Sequence, residues 1–384
     1  MKLVDRKHCT GCGACSDSCS SNVIAMVPSD EGFYFPVIDK SRCTDCGICR
    51  TACPVLNPPE KRMPRKAFAA WAQNESVRTS SSSGGIYSVL GEHILEHGGV
   101  ITGCRFNRNL ILKNEISDQP GDTARFRGSK YVQSYSDAIY RKVERELLNG
   151  KKVLFVSTPC QVAGLLKHPG LPTENLITCD LVCHGVSSWK TFRQYLEWHL
   201  LSPDPDQSVI AFRDLKGWGD YHIRILEQDA LVWRSDDTTN EFIRAYLSCS
   251  SSNEACYSCP YARMERIGDL TLGDFWGLGR NVPFNDDPSR GCSLILVNTE
   301  KGEKLLHAVQ DKLFVQERST EEARMGNGQL RFPISRPPIR DTFFQMEWSS
   351  VAREMNYENH FVFGRMLSKC LRKMQKLFMA ADDR

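Results

Sequence analysis

An α+β fold is expected for this chain: a small cysteine-rich module, a larger mixed-sheet domain of α/β character, and a C-terminal helix. Three observations lead there. Eight of the 17 cysteines fall in two matching runs within residues 9–53. From about Ala67 onward, short apolar runs alternate with segments of helical periodicity. Near the end, Phe363, Met366, Leu367, Cys370, Leu371, Met374, Leu377 and Phe378 share one helical face between Phe361 and Met379. The divisions expected are a first domain at 1–58, a linker at 59–66, a core in two parts at 67–150 and 151–345, and a helical tail at 346–384.

The first run reads Cys9-x-x-Cys12-x-x-Cys15-x-x-x-Cys19, and the second Cys43-x-x-Cys46-x-x-Cys49-x-x-x-Cys53-Pro54. This is the spacing of a two-cluster ferredoxin, in which three close thiolates grip one [4Fe-4S] cube and the fourth cysteine reaches the other cluster. One cluster is therefore expected on Cys9, Cys12, Cys15 and Cys53, and the other on Cys43, Cys46, Cys49 and Cys19. Gly11, Gly13 and Gly47 supply the backbone freedom that such turns need. Ser20 stands where a proline often follows the fourth cysteine, which loosens that turn without removing a ligand. The duplicated order favours clusters over zinc or a disulfide framework.

At 384 residues, 41% hydrophobic and 25% charged, the chain has room for two or three ordinary globular domains. A net charge of +3, with no basic run interleaved with aromatics, argues against nucleic acid. No apolar stretch approaches the ~20 residues of a membrane span. Met1–His8 has no apolar signal region, and cluster thiols must stay reduced, so a cytoplasmic location is expected.

Taken in order, Val23–Val27 and Phe33–Ile38 read as strands joined by the Asp30-Glu31-Gly32 turn. Four prolines and the charged Glu60-Lys61-Arg62 between Pro54 and Pro64 mark a boundary. Strands follow at Ala67–Trp71, Val100–Phe106, Lys152–Val156 and Leu176–Val182. Further strands are expected at Val209–Phe212, His222–Leu226, Leu231–Arg234, Leu270–Leu272 and Leu294–Val297. Helices are expected over Ile86–His97, from Ser136-Asp137 to Asn149 with Gly150 as its stop, and over Trp189–Leu200 capped by Ser188. The tail helix carries Arg365, Lys369, Arg372, Lys373 and Lys376 away from its apolar face. It suits a membrane surface or a partner, or simply an ordinary helix docked on the core.

Nine cysteines remain. Cys160 and Cys183 each follow a buried strand, at the loop edge where sites are built. Cys256-x-x-Cys259, with Cys249 upstream, offers ligands for a third cluster or for zinc. Cys104, Cys179, Cys292 and Cys370 read as small buried apolar side chains.

Residues 128–134 (GSKYVQS), 157–165 (STPCQVAGL), 180–187 (DLVCHGVS), 255–260 (ACYSCP), 268–277 (GDLTLGDFWG) and 290–299 (RGCSLILVNT) resemble successive blocks of the coenzyme F420 hydrogenase/dehydrogenase beta-subunit family. The resemblance spans roughly residues 67–300, and a two-cluster ferredoxin is a common fusion in that family. It implies FAD and a [4Fe-4S] cluster in the core, with Cys160, Cys183, Cys256 and Cys259 as ligands and Cys249 as runner-up. The six residues between Cys249 and Cys256 are a longer gap than the family's usual one.

No Gly-x-Gly-x-x-Gly follows a strand, so a Rossmann dinucleotide site is not supported. Thr79–Gly85, ahead of a helix, offers hydroxyls, backbone and a helix N-terminus for a pyrophosphate; the alternative is a solvent-exposed serine loop. The resemblance tips the reading toward flavin, with Ser82, Ser83, Gly84, Gly85, Lys130, Tyr131, Gln133 and Ser134 as its binding residues. For proton transfer His184 comes first, against a purely supporting hydrogen bond, then Lys130, with Asp274 third.

The function expected is an iron–sulfur flavoprotein oxidoreductase. It passes electrons between an external carrier protein or reduced coenzyme, its clusters and FAD, toward an organic substrate or deazaflavin coenzyme. The alternatives are a non-catalytic relay subunit of a larger redox complex and a zinc-bound regulatory module. Homo-oligomerisation is compatible with the sequence.

Overall fold

The computed structural model describes residues 3–213 and 218–361, the last five of these by backbone alone. Most of the expected tail helix, Cys370 included, lies outside the described residues. The last described element is the helix Trp348–Phe361.

The strands are β1 (Ile24–Pro28), β2 (Tyr34–Ile38), β3 (Lys66–Ala72), β4 (Val100–Phe106), β5 (Leu112–Ser117), β6 (Val153–Ser157), β7 (Leu176–Leu181), β8 (Ser208–Ala211), β9 (Arg224–Glu227), β10 (Ala230–Arg234), β11 (Leu270–Asp274), β12 (Ser293–Val297) and β13 (Leu313–Arg318). β1 and β2 form the antiparallel hairpin of the cysteine-rich module, turning at Gly32, whose φ is 85°. The core is an eight-stranded sheet in the order β13-β3-β12-β11-β7-β6-β4-β5. Its centre, β4, β6, β7 and β11, is parallel, and the flanking pairs are antiparallel. The central strands β6 and β7 are buried along nearly all their length because helices cover both faces. A second sheet, β10-β9-β8, packs its Ile210 and Ile225 against Phe192, Tyr195, Phe242 and Trp348.

The carboxyl ends of β6, β7 and β11 point the same way, which is where parallel sheets place ligand sites. β6 runs into the helix Pro159–Leu166 with Pro159 in its first turn, so Cys160 sits at a helix start. β7 runs into Cys183, and β11 ends on Asp274.

The cysteine-rich module is seated on the core. Its short helix Ala14–Asp17 meets the helices Ile139–Leu148 and Pro159–Leu166. The Tyr140 hydroxyl donates to the Cys12 carbonyl at 2.7 Å, and the Arg141 guanidinium donates to the Cys19 carbonyl at 2.7 Å. Arg340 forms a two-pronged pair with Glu31, at 2.9 and 2.7 Å. The proline-rich connection is pinned too: Arg62 and Arg266 exchange backbone hydrogen bonds of 2.7 and 2.8 Å.

Most expected elements are present within one or two residues. Ser188 caps its helix by accepting from the Thr191 amide, and Gly150 ends the preceding helix with a φ of 79°. Two boundaries moved. The helix expected from Ser136-Asp137 begins at Ile139, because Asp137 and Ala138 are left-handed, with φ of 49° and 58°. Ser136 is buried against Gly13 instead, and the Asp137 carboxylate accepts from Lys113 and Lys142. The helix from Trp189 ends at Trp198, and Leu200 turns with a φ of 54°. β5, β13 and the helices Pro159–Leu166, Glu241–Leu247 and Glu300–His307 had no strong local signal.

Gly84 shows how tightly the sheet holds the serine loop. A Cβ there would lie 2.4 Å from the Ala70 carbonyl oxygen, 2.9 Å from the Trp71 Cα and 3.0 Å from the Ser293 nitrogen. All three are backbone atoms that cannot step aside, so Gly84→Ala is expected to destabilise by about 1–3 kcal/mol, read as a lowered unfolding temperature.

Candidate redox site

Cys9, Cys12, Cys15 and Cys53 line one small cavity together with Met26 and Pro36. Backbone amides serve its sulfurs: the Gly11, Ala14 and Ser16 N–H groups donate to Cys9, Cys12 and Cys15. Cys19, Cys43 and Cys46 surround Cys49, and Cys46 is exposed. Cys15 and Cys49 are neighbours, so the two groups adjoin.

A third group assembles in the core from three separate elements. Cys160, Cys183, Cys256 and Cys259 all act electrostatically on one another's neighbourhood. Thr158 Oγ1 lies 3.4 Å from Cys160 Sγ, the Gly185 amide 3.4 Å from Cys183 Sγ, and the Tyr261 and Ala262 amides donate to Cys259. Cys12 packs with Cys160 and Cys259 in one buried cluster, so the core group borders the module's inner group. Cys249, the expected runner-up, stands apart: its Sγ lies 3.5 Å from His184 Nε2. Burial alone raises its thiol, with no cysteine contributing.

Burial pushes the Cys9 and Cys160 thiols up to about 11, and the Cys15 and Cys183 thiols up to about 12. Such groups become thiolates only when a metal displaces their protons.

The core group opens onto a cavity of about 430 Å³, within the range of small-molecule sites. One end is polar. There the helix Ile86–Glu96 starts at Gly85, with a φ of 83°, and Ser81, Ser82, Ser83 and Arg127 line the wall. Arg127 donates to Ser88 Oγ at 2.9 Å and also to Ser80. The other end is aromatic. Tyr131 stacks on Tyr246 with ring centroids 4.3 Å apart, and Tyr221 and Trp276 complete the wall.

Arg213 ties this end together. Its guanidinium donates to Tyr131 (2.6 Å), Tyr221 (3.3 Å), the Ser82 carbonyl (3.1 Å) and Asp274 (2.6 Å). Burial opposes its charge, but Tyr131, Asp274 and Tyr221 outweigh that and hold the cation above its ordinary range.

Of the expected cofactor residues, Ser82, Ser83, Gly85, Lys130, Tyr131, Gln133 and Ser134 line the cavity. Gly84 does not; it faces β3 and β12, a correction that follows from the backbone packed around its Cα. Several others are already engaged. Lys130 Nζ donates to the carbonyls of Phe126, Arg127 and Gly128 at 3.0–3.1 Å, so it clamps its own loop, and burial lowers its pKa. Lys130, the second candidate for proton transfer, is thus held by three carbonyls of its own loop. Gln133 spans to the module, accepting from the Tyr34 amide at 2.9 Å and donating to the Thr10 carbonyl at 3.3 Å. Ser134 exchanges hydrogen bonds with Gln161. His184 lines the cavity edge-on to Tyr246, at 5.4 Å; burial lowers its pKa, and a hydrogen bond with Gln329 works against that.

Arg127, Arg213, Tyr221 and Tyr246 escaped sequence reasoning, because no motif spacing links them, and Trp276 lay within the 268–277 block without being singled out. His93, Glu96 and His97 also converge, on the outside of the 86–96 helix. Lys312 donates to the Glu96 carboxylate at 2.9 Å and already supplies the cation there.

The cysteine arrangement is that of an iron–sulfur electron-transfer protein. Residues 8–57 match the 4Fe-4S dicluster domain, and residues 150–323 match the C terminus of the coenzyme F420 hydrogenase/dehydrogenase beta subunit. Over that region, a little under half of its length, the chain is similar to the coenzyme F420 hydrogenase/dehydrogenase beta-subunit family. Among solved structures, a chain of the F420-reducing [NiFe] hydrogenase complex from Methanosarcina barkeri, studied as a xenon derivative, is similar at 17% identity. The likeness covers 78% of this chain and 91% of that one, with a TM-score of 0.47. No curated protein matches the chain. Among the described residues, no helix is long and apolar enough to cross a membrane.

Beneath the core cysteines lies a fully buried ion pair, Arg266 with Asp180 at 2.7 Å. Arg266→Met leaves that carboxylate without its cation and is expected to cost about 3–5 kcal/mol. Thermal unfolding checks this, and adding Asp180→Asn should recover part of the loss. No recovery would mean that packing, not charge, carries the site.

Proposed function

We propose that this protein is an iron–sulfur flavoprotein oxidoreductase. In this reading it passes electrons between an external carrier, three [4Fe-4S] clusters and FAD, to reduce or oxidise an organic substrate in a reducing compartment. The observation that carries the reading is the continuity of the three cysteine groups. Cys46 is exposed, Cys49 adjoins Cys15, Cys12 packs with Cys160, and Cys160 and Cys183 line the cavity. Electrons entering near Cys46 thus have a short path inward to the 430 Å³ chamber.

The cavity suits a flavin dinucleotide at both ends. Arg127, the serine hydroxyls and the amides opening the 86–96 helix would hold a pyrophosphate. The aromatic walls and apolar Val156, Val182 and Leu272 suit a flat ring system. A flavin supplies the means to convert single electrons into a hydride equivalent. Around it, Tyr131 and Tyr246 would fix the ring plane, Lys130 would hold the 126–128 loop closed, and His184 stands where a proton could be handed across. The four core cysteines are assigned as ligands, with Cys249 set aside because its sulfur lies beside His184.

A second reading, a relay subunit without an organic substrate, is favoured by the family description as a hydrogenase/dehydrogenase subunit. Reoxidation of the reduced flavin decides between them: only a protein acceptor serves a relay, whereas a small organic acceptor serves an enzyme.

Protein purified anaerobically is expected to contain about twelve iron atoms and one FAD per chain. Eight iron atoms and no flavin would sink the core assignment. Cys183→Ala and Cys256→Ala should each lower iron by about four atoms, whereas Cys249→Ala should leave it unchanged. Arg127→Ala should lower bound flavin without lowering iron, as measured by absorbance after denaturation.

A further inference from the structure

Tyr261 occupies the seam between the cysteine-rich module and the core. It is 3% exposed, and its nearest electrostatic neighbours are the thiols of Cys160, Cys12, Cys259 and Cys53. Two of these belong to the core group and two to the module's inner group. One cation faces the ring and another holds the backbone. Lys61 Nζ stands 5.5 Å from its centroid while donating to the Pro260 carbonyl, and Arg266 donates to the Tyr261 carbonyl at 2.8 Å. Yet the Tyr261 hydroxyl has no hydrogen-bond partner.

A buried hydroxyl without an acceptor costs about 1–3 kcal/mol, so a tyrosine in place of phenylalanine here needs an explanation. The buried cluster it packs into contributes Cys12, Cys160 and Cys259, all of which become thiolates when metal is bound. Cluster sulfides and cysteine thiolates accept hydrogen bonds. Such bonds strengthen as a cluster takes up an electron and becomes more negative, which raises its reduction potential.

We propose that Tyr261 donates its hydroxyl proton in a hydrogen bond to a sulfur of one of the two adjoining [4Fe-4S] clusters, setting that cluster's potential at the crossing between module and core. This rests on the reading that both cysteine groups hold clusters. Tyr261 is a positioning residue: no atom of it reacts, no bond breaks, and the electron passes from one metal group to the other unaccompanied. Lys61, Arg263 and Arg266 are the cations nearby, and none of them is placed by the structure as a donor to those sulfurs.

The test is Tyr261→Phe in the full chain, prepared anaerobically beside the unsubstituted protein. Iron and acid-labile sulfide should be equal in the two. Redox titration followed by electron paramagnetic resonance should show one cluster about tenfold harder to reduce, a midpoint about 59 mV more negative, with the others unmoved. Unchanged midpoints overturn the proposal. Loss of iron in the variant also overturns it, because Tyr261 would then be a packing residue. If the unsubstituted protein itself lacks the third cluster, the underlying functional reading fails, a separate outcome seen in its iron content alone.

Discussion

The buried pair between Asp180 and Arg266 is the constraint on which the site depends. Asp180, wholly inaccessible at the end of β7, accepts from Arg266 at 2.7 and 3.2 Å and from the Ile267 and Gly268 amides at 3.2 and 2.9 Å. Arg266 spends its remaining donors on the carbonyls of Tyr261, Arg263 and Leu181. Removing two charges from water costs several kcal/mol per ion, and only such complete satisfaction offsets it. The consequence is geometric. The pair welds the strand that leads into Cys183 to the loop that follows Cys259, so cysteines far apart in the chain are held in register.

The same logic seats the cysteine-rich module. A tethered module separated by a proline-rich connection would be free to wander, and electron transfer would suffer from a variable gap. Here the Tyr140 hydroxyl, the Arg141 guanidinium and the Arg340–Glu31 pair fasten it at separate points. Gly13 allows the closest approach: its φ is 82°, and a Cβ there would come within 2.0 Å of Ser136 Oγ. Close packing of Cys12 with Cys160 and Cys259 is the result. Side chains that might have been assigned to a ligand, such as Gln133, serve this join.

Inside the cavity the chain separates two tasks. The polar end depends on backbone and hydroxyl donors that cost little to preorganise, since the helix start leaves its amides unpaired. The aromatic end depends on Arg213, whose cation is held by two phenols and a carboxylate. Trp218 donates to the same carboxylate at 3.0 Å and stacks on Trp276. Arg213 therefore joins β11 to the wall carrying Tyr131, and the shape of that end follows from one residue.

What the sequence determined by itself was everything written in short separations. The three-residue rhythm of Cys9 to Cys19 and Cys43 to Cys53, the cap at Ser188, the stop at Gly150 and the strands that deliver Cys160 and Cys183 are all local. Their physics acts between residues a few positions apart. Tertiary structure alone decided the rest. Asp137 and Ala138 leave the helix they were expected to start, because Ser136 is drawn to Gly13 more than a hundred residues away in sequence. Gly84 turns to the sheet rather than the cavity, Lys130 folds onto its own carbonyls, and Cys249 stands with His184 rather than with Cys256. Arg213 and Arg266 carried no motif, since the partners that give them meaning meet them only when the chain is folded. A buried charge is chosen by what surrounds it, and that surrounding does not exist until the sheet has formed.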